Sequence, residues 1–218
     1  MKKIIISALF ILTALFSAEA QSGKSAKEIR QQYFVCGPRV GLSSPTQHAI
    51  TNTTDLNSML NGLNAGVQLG GYLRGMLPIK KTGVVLYAQL DAVWAMDWYI
   101  GKNSNNALAG CFNFPLIIGG GYKFSNGLFL RGGWGPTWTG NIFATANTSF
   151  KDTDNAYQNA VADMLDRDPW GHCSEIGVDW KEWTIDLRYH NQFRSIDYTR
   201  LADDVRFISW GLAVGYRF

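Results

Sequence analysis

Apolar and polar residues alternate with a period of two through most of this chain. The last segment is clearest: Ile208, Trp210, Leu212, Val214, Tyr216 and Phe218 share one face, and Ser209, Gly211, Ala213, Gly215 and Arg217 share the other. Before it, Trp183, Ile185, Leu187, Tyr189 and Phe193 oppose Thr184, Asp186, Arg188, His190 and Gln192. Upstream, Val67, Leu69, Leu73 and Leu77 oppose Gln68, Tyr72 and Arg74, and Leu86, Leu90, Trp94 and Met96 oppose Tyr87, Gln89, Asp91 and Asp97. Phe112, Phe114, Leu116 and Ile118 oppose Asn113, Gly119 and Gly121, and Leu128, Leu130, Trp134 and Trp138 oppose Arg131, Gly133 and Thr137. Weaker alternation marks a first strand at about Phe34 to Ser43 and a sixth at about Trp170 to Trp180. In a water-soluble sandwich such strands would have to bury Asp186 and Arg188 or expose Trp183 and Tyr189. A transmembrane barrel satisfies both faces, one against lipid and one inside.

The links between these segments sort by length. Lys80 to Gly83, Ser125-Asn126-Gly127 and Lys181-Glu182 are short, and Asn126-Gly127 signals a tight turn because both residues tolerate positive φ. The stretches Ser44 to Asn64, Tyr99 to Gly110, Asn141 to Asp168 and Arg194 to Asp204 are longer and polar. Short and long alternate strictly, as they do when short turns face the periplasm and long loops face outward. The expected fold is an all-β, eight-stranded antiparallel transmembrane barrel spanning residues 34–218. Helical spacing of Tyr157, Val161, Met164 and Leu165, and of Leu56, Met59, Leu60 and Leu63, predicts a short amphipathic helix in each of two long connections.

The first residues change the picture of where this barrel resides. Met1-Lys2-Lys3 is a positive start, Ile4 to Phe16 is an apolar run, and Ala18-Glu19-Ala20 is a small-x-small cleavage pattern. Residues 1–20 therefore read as a signal peptide cut before Gln21, and the run is shorter than a spanning helix needs. Residues 21–33 read as a periplasmic segment in which Ser25-Ala26-Lys27-Glu28 fits a capping box. The remaining chain keeps 18 basic and 16 acidic residues, a balance that argues against nucleic-acid binding. Cys36, Cys111 and Cys173 are an odd, widely spaced set and imply no disulfide framework.

With these segments placed, the chain resembles the PorT-like outer-membrane β-barrel family common in Bacteroidetes. The resemblance rests on Val40-Gly41-Leu42-Ser43, Leu86-Tyr87-Ala88-Gln89-Leu90, the proline-bearing Phe114-Pro115-Leu116-Ile117, Gly177-Val178, Ile185-Asp186-Leu187-Arg188-Tyr189, and the terminal Ala213-Val214-Gly215-Tyr216-Arg217-Phe218. Val93-Trp94-Ala95-Met96 departs from the polar tail expected on the third strand, and the long connections match nothing. The resemblance implies location in the bacterial outer membrane and a tie to envelope or secretion proteins. It implies no reaction. Trp210, Leu212, Val214, Tyr216 and Phe218 also resemble the C-terminal signal read by the barrel insertion machinery.

On the interior parity lie Arg39, Arg74, Arg131 and Arg188 with Asp91, Asp97, Glu175, Asp179 and Asp186. Eight strands leave an interior just wide enough to be filled by side chains. Opposite charges there are expected to pair into a plug, since burying them unpaired is costly. The expected function is a non-enzymatic scaffold or interaction component of the envelope, in contact with lipid and lipopolysaccharide. One alternative is a rim hydrolase or acyltransferase, with His190 as base, Asp97 as orienting carboxylate and Ser195 or Ser43 as nucleophile. Another is a narrow pore. His48 and His172 have no partner at metal-ligand spacing, so neither a metal nor another cofactor is expected.

Overall fold

The computed structural model describes residues 33–49, 63–79, 82–100, 106–147, 169–195 and 204–218. These residues form eight strands: β1 Phe34–Ala49, β2 Leu63–Pro78, β3 Val84–Ile100, β4 Asn106–Lys123, β5 Phe129–Asn147, β6 Trp170–Trp180, β7 Trp183–Ser195 and β8 Asp204–Tyr216. Each strand pairs antiparallel with its sequence neighbour, and β1 pairs with β8, so the sheet closes on itself. Closure leaves no edge and gives every ladder an internal partner, which a lipid environment demands. The expected signal peptide, the capping box at residues 25–28 and both amphipathic stripes lie outside the described residues.

Two-residue alternation sets the burial. Leu42, Leu69, Leu90, Leu116, Ile118, Ile176, Leu187 and Leu212 are all exposed on the outer wall, while Arg74, Gln89, Asp91, Thr137 and Asp186 are fully enclosed. Aromatics bracket the outer apolar face. At the short-turn end, Trp183 packs edge-on against Tyr216, and Tyr122 against Phe124. Toward the other end, Tyr189 meets Trp210, and Phe114 meets Trp138. On β6 the bracketing residues are Trp170 and Trp180. At about 3.3 Å per residue and a tilt of about 40°, their separation is about 25 Å, the height of the apolar band of membrane barrels.

The short turns follow their sequence signals with one difference. Gly83 and Gly127 take positive φ (74° and 88°), but Asn126 does not. Its side-chain Oδ1 instead accepts a hydrogen bond from the Leu128 N–H at 3.1 Å, so one residue supplies the conformation and the other the cap. Strands β1, β3, β4 and β5 also run into stretches expected as loops. Ser44 to Ala49, Tyr99-Ile100, Asn106 to Ala109 and Asn141 to Asn147 lie in the ladder, with Ile142 bulged out where the register shifts opposite Gly110/Cys111. The backbone ladder therefore runs on through polar and apolar positions alike, Ile142 and Phe143 among them.

Candidate functional site

The interior half nearest the short turns is filled by charge. Arg39, Arg74, Arg131 and Arg188 face Asp91, Glu175, Asp179 and Asp186, and none of the eight is more than 4% exposed. Arg39 pairs with Asp91 at 2.6 Å and with Asp186. Arg74 pairs with Asp179 at 2.5 Å. Arg131 reaches Asp179 at 3.2 Å as well as Glu175 and Asp186. Arg188 joins Glu175 at 2.5 Å and Asp91. Four cations and four anions make the cluster neutral, so it can be dry without stranding a charge.

Uncharged groups knit the network together. Gln89 accepts from Arg74 Nε at 2.6 Å, and its amide nitrogen donates to Asp91 at 3.0 Å and Glu175 at 3.2 Å. Thr184 accepts from Arg131 at 2.9 Å. The Tyr72 ring lies beneath Arg39 and Arg74 (5.1 and 5.2 Å from ring centre), and the Tyr87 ring beneath Arg74 and Arg131 (both 5.7 Å). These rings give the guanidinium faces an apolar, electron-rich neighbour where hydrogen bonds cannot reach. Space for them comes from interior glycines. A Cβ on Gly133 would stand 2.5 Å from the Tyr87 hydroxyl, and one on Gly119 would stand 2.8 Å from the same ring.

Toward the long-connection end the interior is polar but carries less charge. Thr139 donates to Asn113 at 2.7 Å and accepts from Gln192. Ser43 donates to Asp97 at 3.1 Å. The Cys173 sulfur lies 3.6 Å from His190 Nε2, and both side chains are buried.

Toward the short turns, Val35, Met76, Val85 and Phe129 line a vestibule of about 500 Å³. Lys123, Lys181, Glu182 and Arg217 line the same vestibule.

Every residue expected in the ion-pair network (Arg39, Arg74, Asp91, Arg131, Glu175, Asp186, Arg188) joins the one cluster. Asp97 stands apart from it with Ser43. His190 faces Cys173 across the β6–β7 ladder. Cys111 and Cys173 are buried, Cys36 is exposed, and none of the three is in a disulfide. Trp210, Leu212, Val214, Tyr216 and Phe218 all face outward.

No protein-family model and no curated protein matches this chain. Among solved structures it is similar to Ail, the attachment invasion locus protein of Yersinia pestis, in complex with the heparin analogue sucrose octasulfate. That similarity has 12% identity and a TM-score of 0.39, covering 85% of this chain and 99% of that one. Neisserial surface protein A is similar at 9% identity and a TM-score of 0.40, covering 85% and 97%. The outer membrane enzyme PagL is similar at 10% identity and a TM-score of 0.35, covering 80% and 97%. At this level the likeness is one of architecture, and the fold assignment rests on the chain's own closed ladder.

Proposed function

We propose that the protein is a closed, non-conducting barrel of the bacterial outer membrane that serves as a scaffold for envelope proteins. The filled lumen carries this reading: four arginines and four carboxylates, each at most 4% exposed, occupy the path that a solute would need. An apolar outer wall bracketed by aromatics supports the membrane placement. The PorT-like sequence segments support a partner drawn from the secretion or envelope machinery. With the lumen closed, work falls to the two ends and the outer wall.

Interior catalysis is disfavoured on geometry. His190 and Cys173 are enclosed by the barrel, and the serine brought to Asp97 is Ser43, itself buried. The scaffold reading is tested by quantitative crosslinking of tagged protein in native outer membranes. A partner recovered in near-equal amount supports it, and recovery of the barrel alone with every crosslinker length contradicts it.

A further inference from the structure

Building on the scaffold reading, we infer that the short-turn mouth of the barrel docks an acidic peptide segment of a periplasmic partner, anchored by one bulky apolar side chain. The vestibule has a volume of about 500 Å³. Its apolar walls include Val35 on β1, Met76 on β2, Val85 on β3 and Phe129 on β5, and its Arg217 stands 3.8 Å from Asp179 of the charged plug. A volume of this order suits an aromatic or branched side chain with part of its backbone.

The mouth carries more positive than negative side chains. Lys123 and Arg217 lie at the ends of β4 and β8, four places apart in a ring of eight strands and so on opposite sides of the opening. Lys181 stands between them in the β6–β7 turn, and among the described residues Glu182 is the single acidic side chain lining the cavity. Lys181 is the only non-glycine residue with positive φ among the described residues, at 53°. Asn or Gly would take that conformation at lower cost, so the turn maintains strain to place a cation there. The Lys181 ammonium rests over the Trp180 ring at 4.9 Å. Arg217 is fixed by its own backbone bond to Glu182 (2.6 Å) and by donating to the Lys181 carbonyl. Arg217 is thus held in place before anything binds.

Charge and orientation select the occupant. The chain's own residues 21–32 carry Lys24, Lys27 and Arg30 against Glu28, the same sign as the mouth. Lys123 and Arg217 sit on the interior parity, turned away from the lipid that meets Trp183 and Tyr216, while Phe218 lines the vestibule with them. An extended segment with acidic residues flanking one large apolar residue places its carboxylates at opposite sides of the mouth and its apolar group between Val35, Val85 and Phe129.

The test uses the full-length barrel in nanodiscs of zwitterionic lipid and a fluorescein-labelled, C-terminally amidated Glu-Asp-Phe-Asp-Glu peptide. Anisotropy should show saturable binding. Binding should weaken about tenfold or more with K123E/K181E, with M76W, which fills the cavity, and with Ser replacing the peptide's Phe. Heat-dependent gel migration checks that each variant is folded. No saturable binding by folded wild type overturns the inference, whatever crosslinking finds for the scaffold reading. Loss with K123E/K181E alone, with M76W and the Ser peptide unaffected, overturns it in favour of surface charge attraction. Full displacement by decanoate, with no preference for the Phe peptide, overturns it in favour of a small amphiphile.

Discussion

Two glycine-to-alanine substitutions separate the interior packing from everything else. An alanine Cβ at Gly177 on β6 would stand 2.3 Å from Asp186 Oδ1 and 2.6 Å from Arg131 Cζ, at the centre of the ion network. At Gly75 on β2 the added Cβ meets nothing within 4 Å. Neither glycine has positive φ, so both substitutions gain the same benefit, about 0.4–1 kcal/mol from a less flexible unfolded chain. Gly75→Ala should therefore be neutral or slightly stabilising. At Gly177 the neighbours are held from several sides and cannot swing aside, so overpacking should cost about 1–3 kcal/mol. If Asp186 is driven from Arg131, the cost rises toward the roughly 3–5 kcal/mol of a broken buried pair. Gly177→Ala should thus lie about 1–3 kcal/mol below Gly75→Ala, and up to about 5 kcal/mol below it if the pair breaks, against a total stability of about 5–15 kcal/mol. Urea titration in lipid vesicles, followed by tryptophan fluorescence, measures the gap. A gap under about 0.5 kcal/mol would refute the claim that the plug is packed without slack.

Three further outcomes follow from the same geometry. Arg131→Ala should cost about 3–5 kcal/mol in the same titration because it strands buried carboxylates, whereas Arg217→Ala, a quarter exposed and 3.8 Å from Asp179, should cost under about 1 kcal/mol; equal costs would contradict the plug's dryness. Leu90 and Leu116 are ladder partners on the lipid face, and Arg at either position should cost about 2–4 kcal/mol, so unchanged unfolding curves would mean the faces are reversed. A water-soluble maleimide should reach the buried Cys111 and Cys173 only after denaturation; rapid labelling of Cys173 in the folded state would show an open interior.

Much of this was legible in the sequence because lipid and lumen impose opposite demands on alternate residues. Trp170–Trp180 is bounded in the structure where its pattern starts and stops, and Arg39, Arg74, Arg131 and Arg188 all fall inside as their parity requires. The outward strand ends were not legible, since Ser44 to Ala49 and Asn141 to Asn147 carry no apolar period, while the backbone ladder runs on through them. Gln89, Tyr72 and Tyr87 were legible as interior residues but not as members of the network, because their role depends on which charges converge on them. The Cys173–His190 contact was within reach. A two-residue turn at Lys181-Glu182 pairs Trp180 with Trp183, and counting back along both strands brings Cys173 opposite His190. The vestibule needed the closed ring, because its lining comes from five strands and no local pattern joins them.

The central claim is that this barrel is closed by a dry, neutral plug, and single-channel recording of the purified protein in planar bilayers tests it most directly. The account predicts insertion without conductance steps for the wild type, and steps appearing when Arg74 and Arg131 are both replaced by Ala. Steady, resolved steps from the wild type would contradict it.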